Sequence, residues 1–376
     1  MAEEDLTLPT DAFVEILLRL PTSARRRFRL VCKRWRDIID ERTPERQARS
    51  QILAFISDDG RSHALVFDKD KDGCPRHEWT YNSSFPNGNV YMVSTCNGLI
   101  CLQDIDHTAD STVSTITVAN PITGDTMMLP PVPTASDSSM SRGRYGFGYH
   151  PTTGQYKVVH VTSGGPPRRD TVHVFTLGDL AWREPFLSGN CYPFGRIVTV
   201  DGSTYWIALS TDWRESKVMA LDLKDERLMS LEVPPAMWNA WGIREVWCNV
   251  TNVHGRLGVA IEHITTAVMR VEVWVLEGGA REAPPRWSQS YTLIESGAPR
   301  NSIVAAPHLT HGQYVLSISS DWKRMYRLKL GDSKNRCGKG MQLRPSEGAE
   351  LILCGEMDGV ADIFAYVETR EPLPSI

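Results

Sequence analysis

Residues 202–231 read GSTYWIALSTDWRESKVMALDLKDERLMSL and hold one copy of the pattern that decides the fold of this chain. A glycine leads into an apolar run, and a strand that alternates apolar and polar residues begins at Val218. Lys224 and Asp225 then give a turn signal, and Leu228 begins a returning strand. This order predicts antiparallel strands that end in an outer hairpin.

The same pattern recurs along most of the chain. Glycines that lead into apolar strands stand at positions 98, 154, 202, 255 and 312, with separations of 56, 48, 53 and 57 residues. Shorter units follow Gly60 and Gly359, and further outer hairpins begin at Val172 and Val271. Units of about fifty residues with four strands are typical of β-propeller blades rather than of a β-sandwich. We therefore predict an all-β propeller of six or seven blades over residues 52–376, in which the first and last segments can pair to close the ring.

A different pattern occupies residues 8–39, which read LPTDAFVEILLRLPTSARRRFRLVCKRWRDII. We expect a first helix after Pro9, with Thr10 or Asp11 as its N-cap, and Pro21 ends it. Two sets of apolar residues follow helical spacing, namely Phe13, Ile16, Leu17 and Leu20, and then Phe28, Val31, Cys32, Trp35, Ile38 and Ile39. The fold class is therefore α+β and multidomain, with a three-helix domain at residues 1–45. Because such a small block buries little, it should need a partner surface.

The helical block resembles the F-box, the module that docks a substrate receptor onto the Skp-type adaptor of a cullin-based SCF ubiquitin ligase. The resemblance implies adaptor binding through Leu8, Pro9, Ile16, Leu17, Leu20, Pro21, Val31, Cys32 and Trp35. Arg27, Arg29 and Lys33 also match the motif. Arg25 departs from it, because the family usually carries an apolar residue there. A charge at an apolar contact must reach water, so Arg25 is expected to weaken this interaction.

The repeat region resembles the plant F-box-associated domain. The matching stretches are CNGLIC at 96–101, NPITG at 120–124, LPP at 129–131, GFGY at 146–149, YKVV at 156–159 and VDG at 200–202 before Tyr205 and Trp206. The resemblance implies a kelch-like propeller that holds a target protein and has no catalytic residues of its own. The chain would then be the substrate-recognition subunit of an SCF-type E3 ubiquitin ligase, joined through the adaptor to cullin and RING subunits.

Two equivalent turns contain the same mix of residues. Asp212-Trp213-Arg214 and Asp321-Trp322-Lys323 follow their repeat glycines by about ten residues, and turns of one class open on one face of a propeller. Tryptophan beside a cation is typical of protein-binding hot spots. Trp213, Arg214, Trp322 and Lys323 are therefore candidate target-binding residues, and Trp238 and Trp241 form a second candidate patch. The structural alternative, in which each tryptophan caps the core between blades, stays open.

Composition excludes several classes of protein. The 376 residues carry a net charge of −4, and no apolar run is long enough to span a membrane. The acidic start has no secretory signal, and the eight cysteines form no CxxC pair, so we expect a reducing compartment, the cytoplasm and/or the nucleus. Arg25 to Arg27 and Arg29 are read as a solvated helix face. Nucleic acid is not an expected partner, because the rest of the chain is net acidic and would repel phosphates.

Enzymatic motifs are weak throughout. The glycines between Gly143 and Gly148 are followed by no Walker lysine, and His308 and His311 have no HExxH context. We therefore expect no catalytic residue, cofactor or metal site. Two alternatives stay open: a propeller scaffold or lectin-like binder with a degenerate F-box, supported by Arg25 alone, and a propeller hydrolase whose carboxylates gather at the centre of the ring.

Overall fold

The computed structural model describes residues 9–19, 28, 31–42, 51–58, 61–67, 75–86, 88–106, 114–133, 144–162, 170–188, 191–210, 215–237, 246–264, 268–278, 285–296, 305–311, 313–318, 324–329, 341–343, 349–354 and 360–373. Its helices are α1 (Thr10–Arg19) and α2 (Lys33–Arg42), with one 3-10 turn at Pro235–Met237. Helix α1 begins directly after Pro9, as predicted. The predicted N-cap is wrong, because Thr10 and Asp11 lie within the helix and Pro9 takes the N-cap position: its carbonyl oxygen accepts from the backbone N–H of Phe13 at 3.0 Å. The predicted boundaries at residues 45 and 52 stay predictions.

The strands form six sheets, which are the blades of a β-propeller. Blade 1 contains β25 (Val360–Tyr366), β1 (Gln51–Asp58), β2 (Arg61–Phe67) and β3 (His77–Asn82). Blade 2 contains β4 (Gly88–Cys96), β5 (Leu99–Asp106), β6 (Ser114–Ala119) and β7 (Thr126–Met128). Blade 3 contains β8 (Arg144–His150), β9 (Gln155–Thr162), β10 (Asp170–Thr176) and β11 (Arg183–Ser188). In each blade the first strand named is the inner one.

The second half of the ring follows the same plan. Blade 4 contains β12 (Cys191–Val200), β13 (Ser203–Ser210), β14 (Ser216–Asp222) and β15 (Leu228–Glu232). Blade 5 contains β16 (Val246–Val253), β17 (Arg256–Ile264), β18 (Val268–Glu277) and β19 (Arg286–Ser296), with β23 (Met341–Leu343) added outside in parallel. Blade 6 contains β20 (Ala305–His311), β21 (Tyr314–Ile318), β22 (Arg324–Lys329) and β24 (Ala349–Cys354). The predicted outer hairpins after Val172, Val218 and Val271 are confirmed.

The two ends of the propeller sequence meet in blade 1. Strand β25 pairs antiparallel with β1 and supplies the inner strand of that blade, so the predicted closure of the ring is confirmed. The shorter units after Gly60 and Gly359 form β2 and β25, and they share this one sheet. The inner strands contact one another in the order β25, β4, β8, β12, β16, β20 and back to β25. The ring therefore has six blades, and blades 1 and 4 lie opposite each other.

The repeat glycines lie in the turns between the first and second strands of blades 2 to 5. Gly98, Gly202 and Gly255 have φ angles of 86°, 73° and 77°, and the residue before each also has a positive φ. Two consecutive positive φ angles are typical of the tight hairpin turns that match the twist of a sheet. A Cβ atom at Gly98 would lie 2.6 Å from the carbonyl oxygen of Val367, so close packing also requires glycine there. These turns account for the long-period repeat in the sequence.

The blades pack face to face through apolar side chains. In blade 5, Val259 and Ile261 pack against blade 4, whereas Ala260 packs on the opposite side with Val315 of blade 6. Both faces of each middle strand are therefore buried, which explains why these strands are almost continuously apolar. Outer strands are joined by indole hydrogen bonds: Trp182 Nε1 donates to the carbonyl oxygen of Pro130 at 2.7 Å, and Trp287 Nε1 to that of Glu232 at 2.9 Å.

Candidate adaptor-binding and target-binding surfaces

The two helices of the N-terminal block share a small apolar core. Leu17 of α1 is 1% exposed and packs with Ile38 and Ile39 of α2. Beside them the Trp35 ring makes edge-on contacts with two phenylalanine rings, at centroid distances of 4.6 Å to Phe13 and 5.2 Å to Phe28. Edge-on packing of this kind stabilises aromatic clusters beyond simple area burial. Leu17 and Trp35, both in the predicted adaptor-binding set, thus also hold the helices together.

Other members of the predicted set face solvent. Ile16 is 48% exposed, Val31 is 58% exposed, and Pro9 and Cys32 are exposed as well. The core of the helical block, formed by Leu17, Ile38 and Ile39, therefore leaves these four side chains accessible. The described residues do not include Leu8, Leu20 or Pro21, nor Arg25, the position that departs from the family motif. We call Ile16 and Val31 the exposed pair.

All six candidate target-binding residues lie in connections outside the described residues, so the structure does not place their side chains. The flanking strands do show where the connections start and end. Residues 211–214 join β13 to β14, residues 319–323 join β21 to β22, and residues 238–245 precede β16. Because neighbouring strands in these blades are antiparallel, the described strand ends that flank these connections lie at the end of the ring where the inner strands begin. We call this end the upper face.

A stacked aromatic pair, missed from the sequence, lies near the upper ends of two inner strands. Trp247 of β16 is 52% exposed, and its ring stacks on Phe194 of β12 at a centroid distance of 6.0 Å and an interplanar angle of 24°. An exposed tryptophan supported by a second ring is the kind of rigid anchor that interfaces favour. The only sequence signal for this pair is a tryptophan at the start of an inner strand.

The inner strands enclose a central channel with a cavity of about 380 Å³. The guanidinium of Arg196 on β12 is ion-paired, through Nη1, with the carboxylate of Asp362 on β25, which belongs to the opposite blade. Burial raises the pKa of Asp362 above its usual range, although Arg196 acts in the opposite direction. Burial also raises the pKa of Glu262 on β17 to about 7, again opposed by Arg196. Arg196 and Asp362 are thus charged groups of the channel in a partly desolvated setting, and Glu262, which does not line the cavity, interacts electrostatically with Arg196.

A β-bulge in β12 directs Arg196 toward the channel. The register of β12 against β13 shifts between Phe194 and Val198, and Gly195 within this bulge has a φ of 69°. A Cβ atom at Gly195 would lie 2.5 Å from Oδ1 of Asn249. The left-handed φ favours glycine, and a larger residue would also displace the Asn249 amide. Bulges of this kind reorient neighbouring side chains.

Two family profiles match the chain. The profile described as "F-box associated beta propeller domain" matches residues 51–328, and the profile described as "F-box domain" matches residues 6–46. The chain belongs to the F-box associated β-propeller family. The resemblance noted for both parts of the sequence is thereby confirmed.

Relatives of this F-box protein occur in Arabidopsis thaliana. It is 26% identical over 320 residues to "F-box protein At1g52495", in an alignment that covers 78% of this chain and 70% of the relative. It is 29% identical over 388 residues to "F-box/LRR-repeat protein At2g43260", which covers 96% of this chain and 81% of the relative. Among solved structures, TolB from Acinetobacter baumannii superposes with a TM-score of 0.50 at 9% identity, over 84% of this chain and 66% of that chain, which shows the fold alone.

Several motif residues of this F-box protein anchor the tail that follows β25. Asn120 is fully buried; its Nδ2 donates to the carbonyl oxygen of Glu371 at 2.7 Å, and its Oδ1 accepts from the backbone N–H of Ile122 at 3.0 Å. The Gly98 turn packs against Thr369 of the same tail. The hydroxyl of Thr95 donates to the carbonyl oxygen of Ala365 at 2.7 Å. Gly98 and Asn120 of the two motifs, together with Thr95 beside the first motif, therefore secure the closure of the ring.

The described residues contain neither a group of metal ligands nor a helix that could span a membrane. Within them, no group of three or more His, Cys, Asp or Glu side chains is placed to hold a metal ion. None of the helices in the described segments is long and apolar enough to cross a bilayer.

Proposed function

We propose that this F-box protein is the substrate-recognition subunit of an SCF-type E3 ubiquitin ligase, acting in the cytoplasm and/or the nucleus. Its F-box binds a Skp-type adaptor and, through it, cullin and RING subunits, while its propeller binds a target protein. The chain contributes no catalytic group, because the bound conjugating enzyme supplies the ubiquitin and the receptor acts by proximity. The observation that supports adaptor binding is the exposure of Ile16 on α1 and of Val31 just before α2, outside the core that Leu17, Ile38 and Ile39 form.

The upper face supports the proposal for target binding. Strand β1 pairs through Gln51 with Tyr366 at the lower end of blade 1, so the chain enters the propeller at the lower end of the ring. The upper face, with Trp247 and the tryptophan-containing connections, is thus the end away from this entry point. A target bound there leaves the entry segment uncovered.

Co-purification with a Skp-type adaptor tests the first half of the proposal. Replacing the exposed pair by Ile16→Asp and Val31→Asp should weaken adaptor binding about 100-fold, because two aliphatic side chains that are buried in an interface contribute ~1–1.5 kcal/mol each. Leu351→Asp is the matched control, since Leu351 is 49% exposed but lies on the outer strand β24. Unchanged adaptor affinity in the double variant contradicts the proposal and favours a propeller scaffold with a degenerate F-box.

Proximity labelling tests the second half. Proteins labelled more strongly under proteasome inhibition are candidate targets, and Trp247→Ala should reduce their labelling. Leu180→Ala is the matched control, because Leu180 is 83% exposed in the turn between β10 and β11, at the lower end of the ring. Equal loss of labelling in both variants, or in neither, contradicts the assignment of the target to the upper face.

A further inference from the structure

The central channel has the size of a small-molecule site. Its cavity of about 380 Å³ falls in the range of ligand pockets, and the inner strands of five blades line it. The walls present side-chain hydroxyls and amides together with two tyrosine rings, from residues that include Tyr91, Gln103, Tyr145, Thr199 and Asn252. A few convergent polar groups in one enclosed space are what fixes the orientation of a bound ligand.

The charges of the lining favour an anion. Two guanidinium groups, of Arg144 and Arg196, line the cavity against a single carboxylate, that of Asp362. The described lining is thus net positive in a chain whose net charge is −4. Arginine binds carboxylate and phosphate groups through a planar fork of donors, and such charge-assisted bonds strengthen where water is partly excluded. The cavity therefore selects against cations and favours a small acidic molecule.

The position of Arg196 is built into the backbone. Gly195 adopts a left-handed φ in the bulge before it, and a side chain at that position would displace the Asn249 amide of the next blade. Sparsely populated backbone conformations concentrate at binding sites, where the surrounding structure holds them in place. A guanidinium that needed only to reach solvent would not require this arrangement.

Asp362 already shows how Arg196 engages an acid. Its carboxylate reaches Arg196 across the channel, and its side chain is only 15% exposed. Burial disfavours the charged form of Asp362, so the attraction within the pair is offset by the cost of desolvation. Because burial favours the protonated form of Asp362, its carboxyl group can leave Arg196 without remaining as a buried charge when the anionic group of a ligand binds the same fork.

We propose that the central channel binds a small organic anion, a carboxylate or a phosphate monoester, whose anionic group replaces the Asp362 carboxylate on Arg196. The lining of this site contains none of the residues proposed for adaptor or target binding, and the proposal does not depend on adaptor binding. The internal carboxylate competes with the ligand, so the two partners of the ion pair have opposite effects on affinity.

Calorimetric titration of the purified full-length chain with inorganic phosphate and with succinate tests the proposal, and succinamide serves as the uncharged control. At least one anion should bind saturably, and succinamide should not. Arg196→Gln should weaken binding at least about tenfold, Arg196→Lys should weaken it less, and Asp362→Asn should strengthen it by about threefold or more, because the competing carboxylate is removed. Arg286→Gln, an exposed arginine on the outer strand β19, should leave affinity unchanged.

The outcomes separate the possible ligands and the possible failures. Saturable binding of phosphate alone identifies a phosphorylated ligand, and binding of succinate alone identifies a carboxylate. No saturable response to either anion, or equal weakening by Asp362→Asn and Arg196→Gln, overturns the proposal. If Arg196→Gln does not fold, Arg196→Lys and Asp362→Asn still decide the matter, since they must shift affinity in opposite directions. Loss of adaptor binding in the earlier test would leave this result unaffected.

Discussion

Replacing His160 with phenylalanine should change how the stability of the propeller depends on pH. His160 lies on β9 and is 3% exposed, and its ring stacks on Tyr145 at a centroid distance of 4.2 Å. Burial lowers the pKa of His160 from 6.5 to about 3, and the neighbouring His173 acts in the same direction. The imidazole therefore stays neutral in the folded protein at every pH at which the chain is ordinarily handled.

The size and sign of the effect follow from the linkage between proton binding and folding. As the pH falls below 6.5, this histidine becomes protonated in the unfolded chain but not in the folded chain. Its contribution therefore lowers the free energy of unfolding by about 2 kcal/mol between pH 7.5 and 5.0. Glu262 has the opposite effect. Its pKa of about 7 in the folded chain exceeds the ordinary value of 4.5, so on acidification the folded chain binds the proton at a higher pH than the unfolded chain does. This contribution raises the free energy of unfolding by about 2 kcal/mol over the same interval.

Single substitutions should expose these opposing contributions, which largely cancel in the unmodified chain. Urea unfolding at pH 7.5 and pH 5.0, for the unmodified chain, His160→Phe and Glu262→Gln, gives the change in free energy of unfolding for each. His160→Phe should become more stable on acidification relative to the unmodified chain, and Glu262→Gln less stable. The pKa of His173 is also lowered by burial, but His173 is present in all three proteins and its contribution is therefore shared.

The comparison rests on the difference in slope rather than on absolute stability, which either substitution can change by altering packing. Identical changes between pH 7.5 and 5.0 in all three proteins would refute the reasoning, because neither buried group would then titrate differently on folding. The reasoning would also fail if both variants differed from the unmodified chain in the same direction, that is, if acidification stabilised both or destabilised both relative to it.

Two further predictions concern links between parts of the ring. Glu226→Gln should lower the free energy of unfolding by ~3 kcal/mol. The reason is that the ammonium of Lys157, which is 4% exposed and lies 2.6 Å from the Glu226 carboxylate, would stay buried beside a neutral group. Glu350→Gln is the control: it removes an exposed ion pair and should leave the midpoint of urea unfolding nearly unchanged. Asn120→Ala should lower the free energy of unfolding by ~2 kcal/mol and expose the tail around Glu371 to limited proteolysis, because it removes the hydrogen bonds of a buried side chain. A tail that stays resistant to proteolysis in that variant would contradict the anchoring role.

Local patterns predicted much of the fold. The repeat glycines, such as Gly202 and Gly255, occupy hairpin turns because backbone conformation is a local property that a single residue type reports. The number of blades stayed open at six or seven, because the pairing of β1 with β25 joins segments from opposite ends of the propeller sequence. Neither the parallel addition of β23 nor the indole bonds of Trp182 and Trp287 follow any local period.

The channel was beyond prediction for the same reason. Arg196 and Asp362 belong to different blades and meet only because six inner strands close a ring, so no spacing in the sequence links them. From the sequence, carboxylates at the centre of the ring were expected only for the hydrolase alternative, and Asp362 was not singled out. In the helical block, the apolar period identified Leu17 and Ile16 together, but periodicity alone could not separate the buried residue from the exposed one.

The placement of the family motifs bears on how this fold accommodates different targets. The turn at Gly98 and the buried Asn120 hold the closing strand and the tail at the lower end of the ring, away from the upper face. Residues that make the family recognisable thus stabilise the closure of the ring. Trp247, on the upper face proposed for target binding, takes part in none of these contacts. Substitutions at such exposed positions can therefore change the proposed target surface at little cost in stability.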